Sequence, residues 1–503
     1  MTDDIMTNVS KGVTMKGGAD LVAKRYGAER RFKAYGIAAL AVTALFLIFL
    51  VADIVGKAWP AFFEHTAKIE VMVDPAAVDA KNIAAADFQG LVRNGLREMF
   101  PTVTDRTGRK ELASLLSSGA GEWLRDAVIA DPKLIGTKVS VPVLLSGDAD
   151  LYLKGYQTEL TKTAGSADIT VAQDGEGYAL TTSIPLAPGA VVRVNGGNLR
   201  VLSVENGVAK AEAIEMPASL GVAAGGKWDA VAFSNKESDR RSNDRKVLWL
   251  ESLRDSGLVT RGFATRFFTS GDSRAPELAG IKGALAGSLL TIAITLSICL
   301  PIGVAAALYL EEFSGSNRFT DLIEVNINNL AAVPSIIFGL LGLAIFLNFF
   351  GMPRSAPLVG GLVLALLVLP TIIIASRAAF RSVPPSIKEA ALGVGASHQQ
   401  AVFHHVLPLA VPGILTGTIL GIARAFGESA PLLMIGMIAF IVDVPKGFTE
   451  AATVMPVQIF LWSDLPEIGF QSKTAAAIVV LLVVLFCLNA VAIYMRKRFE
   501  RRW

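Results

Sequence analysis

Cysteine is nearly absent, with two residues in 503, Cys299 and Cys487, each inside an apolar run. That excludes a disulfide framework and a thiolate metal centre. Histidine is scarce as well: His65, His398, His404 and His405 show no zinc-binding spacing, so no metal site is expected. Charged residues make up only 18%, and 47 basic against 44 acidic side chains leave a net charge of +3. No global field is present to recruit nucleic acid. No GxxxxGK[ST] phosphate loop occurs, so any driving energy must come from an ion gradient or from another polypeptide that binds the ATP. A GxSxG elbow and a His/carboxylate grouping are also missing. No catalytic residues and no cofactor are expected of this chain.

What the sequence has is apolar length. Hydrophobic residues reach 52%, gathered into runs of about 20 that can cross a hydrocarbon layer roughly 30 Å thick. The runs are Ala34–Val55, Ile281–Leu310, Ile323–Phe349, Leu358–Phe380, Leu407–Val442 and Thr474–Tyr494. Six spans put both termini on one side. Lys24, Arg25, Arg30, Arg31 and Lys33 before the first run, Arg377, Arg381 and Lys388 after the fourth, and Arg496, Lys497, Arg498, Arg501 and Arg502 at the end mark that side as cytoplasmic. The run at Leu407–Val442 exceeds one crossing, so it must tilt, break or extend beyond the bilayer.

The expected architecture is an α-helical polytopic membrane protein with a mixed α/β domain inserted after the first helix. Its parts are a cytoplasmic segment 1–33, a first span 34–55, an extracytoplasmic domain 56–277, a membrane core 278–495 and a basic tail 496–503. Inside the outer domain, Asp87–Met99 and Glu111–Ala130 have helical spacing. Short β-branched segments at Lys138–Leu145, Asp168–Ala172, Tyr178–Leu186, Val191–Val194, Asn198–Val204 and Val208–Ile214 predict strands, with hairpin turns at Asp174-Gly175 and Asn206-Gly207. Lys236–Lys246, KESDRRSNDRK, has the composition of a solvated loop.

The cytoplasmic segment 384–408 reads PPSIKEAALGVGASHQQAVFHHVLP. Pro-Pro ends one helix, Ile387–Leu392 starts a short one, Gly393 and Gly395 break it, and Ala396–His405 makes a second before Leu407-Pro408 opens the next span. Such a knob suits a groove on a partner, or serves as an interfacial connector. The segment resembles the EAA loop of ABC importer permeases, with Glu389, Ala390, Ala391, Gly395, Leu407 and Pro408 in register. His405 stands where that pattern has isoleucine. The resemblance implies docking on a separate ATPase subunit.

Within the fifth run, Gly413, Gly417, Gly421 and Ala425 recur every four residues, a smooth stripe for close helix packing. Arg424 lies about 24 Å along the helix from Pro408. A central arginine costs about 2.5 to 3.5 kcal/mol, so it should face a polar cavity or a partner. Glu428, one turn on, either neutralises it or helps it hold an oxyanion by orienting it or taking a proton from the substrate. The stretch Ala423-Arg-Ala-Phe-Gly-Glu-Ser-Ala-Pro-Leu-Leu433 resembles the PstA family of phosphate ABC importer permeases, as do Pro334–Leu343 and Pro276–Ile281. The likeness covers about Phe267 to Tyr494; the long outer domain departs from it. It implies a phosphate importer in a bacterial inner membrane with a PstC-like sister permease, a dimer of PstB-like ATPases and a PstS-like binding protein. Import of sulfate or molybdate, or a membrane-anchored sensor, are the alternatives.

Overall fold

The computed structural model describes residues 16–79, 82–175, 177–205, 207–315 and 317–499. Asn206 of one expected hairpin turn and the tail residues Arg501 and Arg502 lie outside the described residues. Contacts divide the chain after Lys57 into two units. In the first, helix α1 (Lys16–Ala58) is longer than the apolar run, because the charged stretch before it is helical too, with Glu29 and Lys33 paired one turn apart at 2.6 Å.

The second unit begins with an α/β part. β1 (Phe63–Met72) is followed by α2 (Phe88–Met99), α3 (Arg106–Ala113), α4 (Glu122–Ala130), β2 (Lys138–Leu144) and α5 (Gly147–Leu153). Next come β3 (Leu160–Ala164), β4 (Ile169–Asp174), β5 (Gly177–Thr182), β6 (Val191–Val194), β7 (Gly197–Glu205), β8 (Val208–Glu215), β9 (Gly221–Ala223) and β10 (Asp229–Phe233). α6 (Asp244–Asp255), β11 (Val259–Phe263) and α7 (Arg266–Thr269) complete it.

Two antiparallel sheets result, β11-β1-β2 and β3-β10-β6-β7-β8-β5-β4-β9. In β1 the residues alternate, Ala67, Ile69 and Val71 buried against Lys68 and Glu70, as a strand with one covered face requires. The helices α2 to α6 cover that face; Val92, Leu96, Leu124, Val128 and Leu253 share its core. A separate core of Ile169, Val171, Leu180, Val192, Leu199 and Trp228 holds the larger sheet.

Phe63 pairs with Phe263, so the domain's entry and exit strands meet at one neck. Aromatic rings gather there: Phe62 and Phe263 both stack on Phe268, with centroids 6.2 and 5.9 Å away. Rings of this kind suit a membrane–water boundary.

Two expectations change here. Glu111–Ala130 is not one helix, because Ser114–Gly121 leaves the helical path and Leu116 bridges to Leu145. Lys236–Lys246 is not a solvated loop: Ser242 and Asp244 are buried, and Asp244 pairs with Arg240 at 2.5 Å and Arg200 at 2.7 Å. Arg240 and Asp244 are turned inward on each other and on Arg200, which composition alone does not reveal.

The membrane part has α8 (Lys282–Leu308), α9 (Arg318–Ala331), α10 (Ser335–Gly342), α11 (Pro357–Arg381), α12 (Pro385–Gly393), α13 (His398–Ala401), α14 (Leu407–Gly427), α15 (Ala430–Met434), α16 (Met455–Ser463) and α17 (Ile468–Phe499). Among the described residues five helices are long and apolar enough to cross a membrane, or six if a bent pair forms one span. That pair is the third run. It is not straight: α9 and the α10 segment, prolonged to Phe349, meet at 100°. Pro334 sits at the bend, and a proline disfavours helical backbone in the residue before it.

The fifth run breaks as well, since Glu428 is extended and α15 starts anew. The stretch Asp443–Lys473 contains α16 and the first turns of α17, with Lys473 buried and donating to the Ala279 carbonyl at 2.8 Å.

Candidate functional site

α14 carries two kinds of surface. Glycine has no Cβ, and at the stripe positions there is no space for one. A Cβ on Gly413 would come 2.6 Å from the Ala379 methyl, one on Gly417 2.2 Å from that of Ala375, and one on Gly421 2.8 Å from Val368, all on α11. Ala425, the fourth stripe member, is buried. We expect Gly417→Ala to destabilise the purified chain by about 1 to 3 kcal/mol through overpacking. Adding Ala375→Gly should restore most of the loss, as read by thermal unfolding in detergent. No recovery in the double variant would show that this contact is not what the glycine serves.

Arg424 is different. Its side chain is 41% exposed, on a face shared with Leu420, which is 63% exposed. Glu428 approaches its Nε only to 3.9 Å, the guanidinium makes no hydrogen bond among the described residues, and its planar fork of donors is left free. The helix ends beside it at Gly427, and the negative end of the helix dipole favours a cation there. Glu428 also lines a small crevice with Ser288, Thr291, Leu432 and Val454. The arrangement can present one cationic fork and one carboxylate to an anion arriving along the uncovered face.

The segment 384–408 lies at the other end of α14. α12 exposes Glu389 and Ala390 and buries Ala391; beyond it Gly395 has φ +93°, a conformation that favours glycine. Leu392 and Val394 are exposed apolar side chains beside it. The second short helix differs from expectation. α13 does not stop before Leu407 but runs through a π turn, Val402–Val406, directly into α14. The wider turn accommodates Pro408, whose nitrogen has no hydrogen for the helical ladder. Leu407 is half-buried, and His405 is exposed.

Sequence reasoning missed what fixes this knob. Arg377 on α11 reaches Glu311 at 2.5 Å and Glu324 on α9 at 2.9 Å, and Arg381 joins Glu311 at 2.8 Å. Lys388 on α12 pairs with Glu312 at 2.6 Å, while the His398 ring bonds the Glu312 carbonyl at 2.8 Å. The knob is therefore tied to the end of α8. The available signal was the acidic pair Glu311-Glu312 closing one span and the basic residues closing another.

With this geometry in view, the class follows from comparison with known proteins. Residues 299–503 match the model of the binding-protein-dependent transport system inner membrane component, and residues 19–162 match a domain of unknown function (DUF3333). A probable ABC transporter permease protein of Bacillus subtilis, YqgI, is 32% identical over 243 residues, 45% of this chain and 81% of its own length. The chain belongs to the inner-membrane permeases of binding-protein-dependent ABC importers. Among the relatives of its core is the phosphate transport system permease protein PstA of Mycobacterium leprae, 31% identical over 246 residues, 47% of this chain and 79% of that protein. The phosphate transport system permease protein PstC of Haemophilus influenzae is 30% identical over 213 residues, 38% of this chain and 66% of that protein. The PstA resemblance read from the motifs thus extends over the permease core. Members of the family are multi-pass transport subunits, and membership implies an ATPase and a substrate-binding protein as partners.

Proposed function

We propose that this chain is one of two permease subunits of an ATP-driven importer of inorganic phosphate, with Arg424 and Glu428 on the substrate path. The observation that carries the reading is the unoccupied guanidinium fork of Arg424 on a helix face the chain leaves uncovered. A charged group in a span is tolerated facing a water-filled passage or a partner. The sister permease, PstC-like, closes that passage. Phosphate handed over by a PstS-like binding protein meets the fork bidentately. Glu428 then supplies the selectivity: its carboxylate accepts a hydrogen bond from a P–OH group, which phosphate has at neutral pH and sulfate lacks. Sulfate would set two anionic groups together with no proton between them. One cation, loosely held by a carboxylate 3.9 Å away, binds weakly enough to release its cargo.

Glu389 to Gly395 docks on a PstB-like ATPase dimer, and the tied knob carries the motion of that dimer through Glu311 and Glu312 to α8. Residues 1–33 and 496–503 lie in the cytoplasm and 56–277 outside, a topology supported by the basic flanks of the spans. Labelled phosphate and sulfate uptake by cells deleted for their own importers, expressing this chain with its partner subunits, tests the reading. The native chain is expected to accumulate phosphate and exclude sulfate, and Glu428→Gln to raise the sulfate-to-phosphate ratio at least tenfold. Transport of sulfate by the native chain would refute it.

A further inference from the structure

The outer domain carries a charge arrangement that the transport reading does not use. An open groove of about 1000 Å³ runs between α2 and α3, lined by Arg93, Arg97, Arg106, Arg109 and Lys110 and by no carboxylate. All five cations are exposed, and none is in an ion pair among the described residues. The nearby acids are engaged elsewhere. Asp87 caps α2 by accepting from the Gly90 amide. Asp105 caps α3 and pairs with Arg245 at 2.9 Å, which holds its carboxyl down at about 2. Glu111 accepts from the Asn243 side chain at 2.8 Å.

Arg93 and Arg97 stand one turn apart, as do Arg106 and Lys110, and like charges at that spacing destabilise a helix by a few tenths of a kcal/mol. Two such pairs facing one groove with no neutralising partner serve no purpose in the fold. They fit a ligand that brings the negative charge.

We propose that this groove binds a soluble linear polyanion of linked phosphates. Four of the five cations are arginines, whose planar forks match phosphoryl oxygens two at a time. Thr107 adds a hydroxyl donor at the same wall. A docked protein would need an apolar or aromatic anchor at the centre of its footprint. The lining offers only Ala113 and the buried Leu116. The groove's volume accommodates several phosphoryl units, and a chain with one charge per short repeat can meet five cations at once. Whether or not the membrane core carries phosphate, the inference stands, because it rests on the outer domain alone.

The test is equilibrium binding of fluorescent medium-length inorganic polyphosphate to the full chain in uncharged detergent. Binding is expected to weaken with salt with a logarithmic slope of roughly −3.5, the value for about five cations each releasing about 0.7 counterion. Arg93→Gln with Arg106→Gln should lower affinity at least tenfold without changing thermal unfolding, since both side chains are exposed. Polyglutamate of equal charge should bind at least tenfold more weakly, and inorganic phosphate at equal phosphorus concentration should not displace the polymer. Equal binding by the double variant, equal binding of polyglutamate, displacement by inorganic phosphate, or attachment only to anionic vesicles would each overturn the proposal.

Discussion

Replacing Arg424 with glutamine is expected to reduce ATP-dependent phosphate uptake on the order of a hundredfold while the chain still reaches the membrane. Losing the charge-assisted hydrogen bonds of the fork costs about 3 kcal/mol, each being worth roughly 1.5 to 3 kcal/mol. The same change removes a charge from the span and so does not make insertion of α14 harder. Lost transport could not then be blamed on lost insertion. Arg424→Lys should fall between the two, since it keeps the charge and loses the fork. Membrane fractionation with labelled phosphate uptake reads both quantities in one culture. Unchanged uptake by the glutamine variant would remove Arg424 from the path and leave its loose pair with Glu428 as a structural accident.

The uneven legibility of the chain has physical reasons. Val191–Val194 and Val208–Ile214 read as strands because they are short segments, valine-rich in the first and alternating alanine with charge in the second, bounded by turn residues. β1 alternates just as cleanly from Ala67 to Val71. His65 interrupts its period between Phe63 and Ala67, which leaves too short a run to mark a strand. The bend at Pro334 was hidden differently: a hydropathy window averages over a proline, whereas the backbone cannot.

In the candidate site, the four-residue separation of Arg424 and Glu428 is in the sequence, but α14 ends at Gly427 and Glu428 is extended, so their 3.9 Å approach is set by the turn that follows the helix. The exposure of Arg424 is a property of packing among several helices, and so is the set of partners of Arg377. Those basic residues were legible as markers of a cytoplasmic flank. Their function as ties between α8, α9 and α11 depends on residues more than 50 positions away in sequence.

The loop before α6 gives the other large effect, because there composition misleads most. Asp244→Asn is expected to destabilise the α/β domain by about 3 to 5 kcal/mol, the usual result of removing one partner of a buried ion pair. The Arg240 side chain is only 2% exposed, with its guanidinium over the Phe233 ring at 4.2 Å. Its Nη1 already lacks a partner, so loss of the Asp244 charge strands a cation that cannot reach water. Arg200 suffers less, since Glu237 and Glu212 remain beside it. Asp244 is also the first residue of α6, so its charge favours the helix amino end. Hydrogen exchange of the α6 amides in the full chain should therefore accelerate roughly a hundredfold to several thousandfold. The double variant Arg240→Met with Asp244→Leu should exchange more slowly than Asp244→Asn, because it removes the stranded charge along with its partner. If the double variant were as labile as the single one, the packing around residue 244, rather than the charge pair, would hold the domain together.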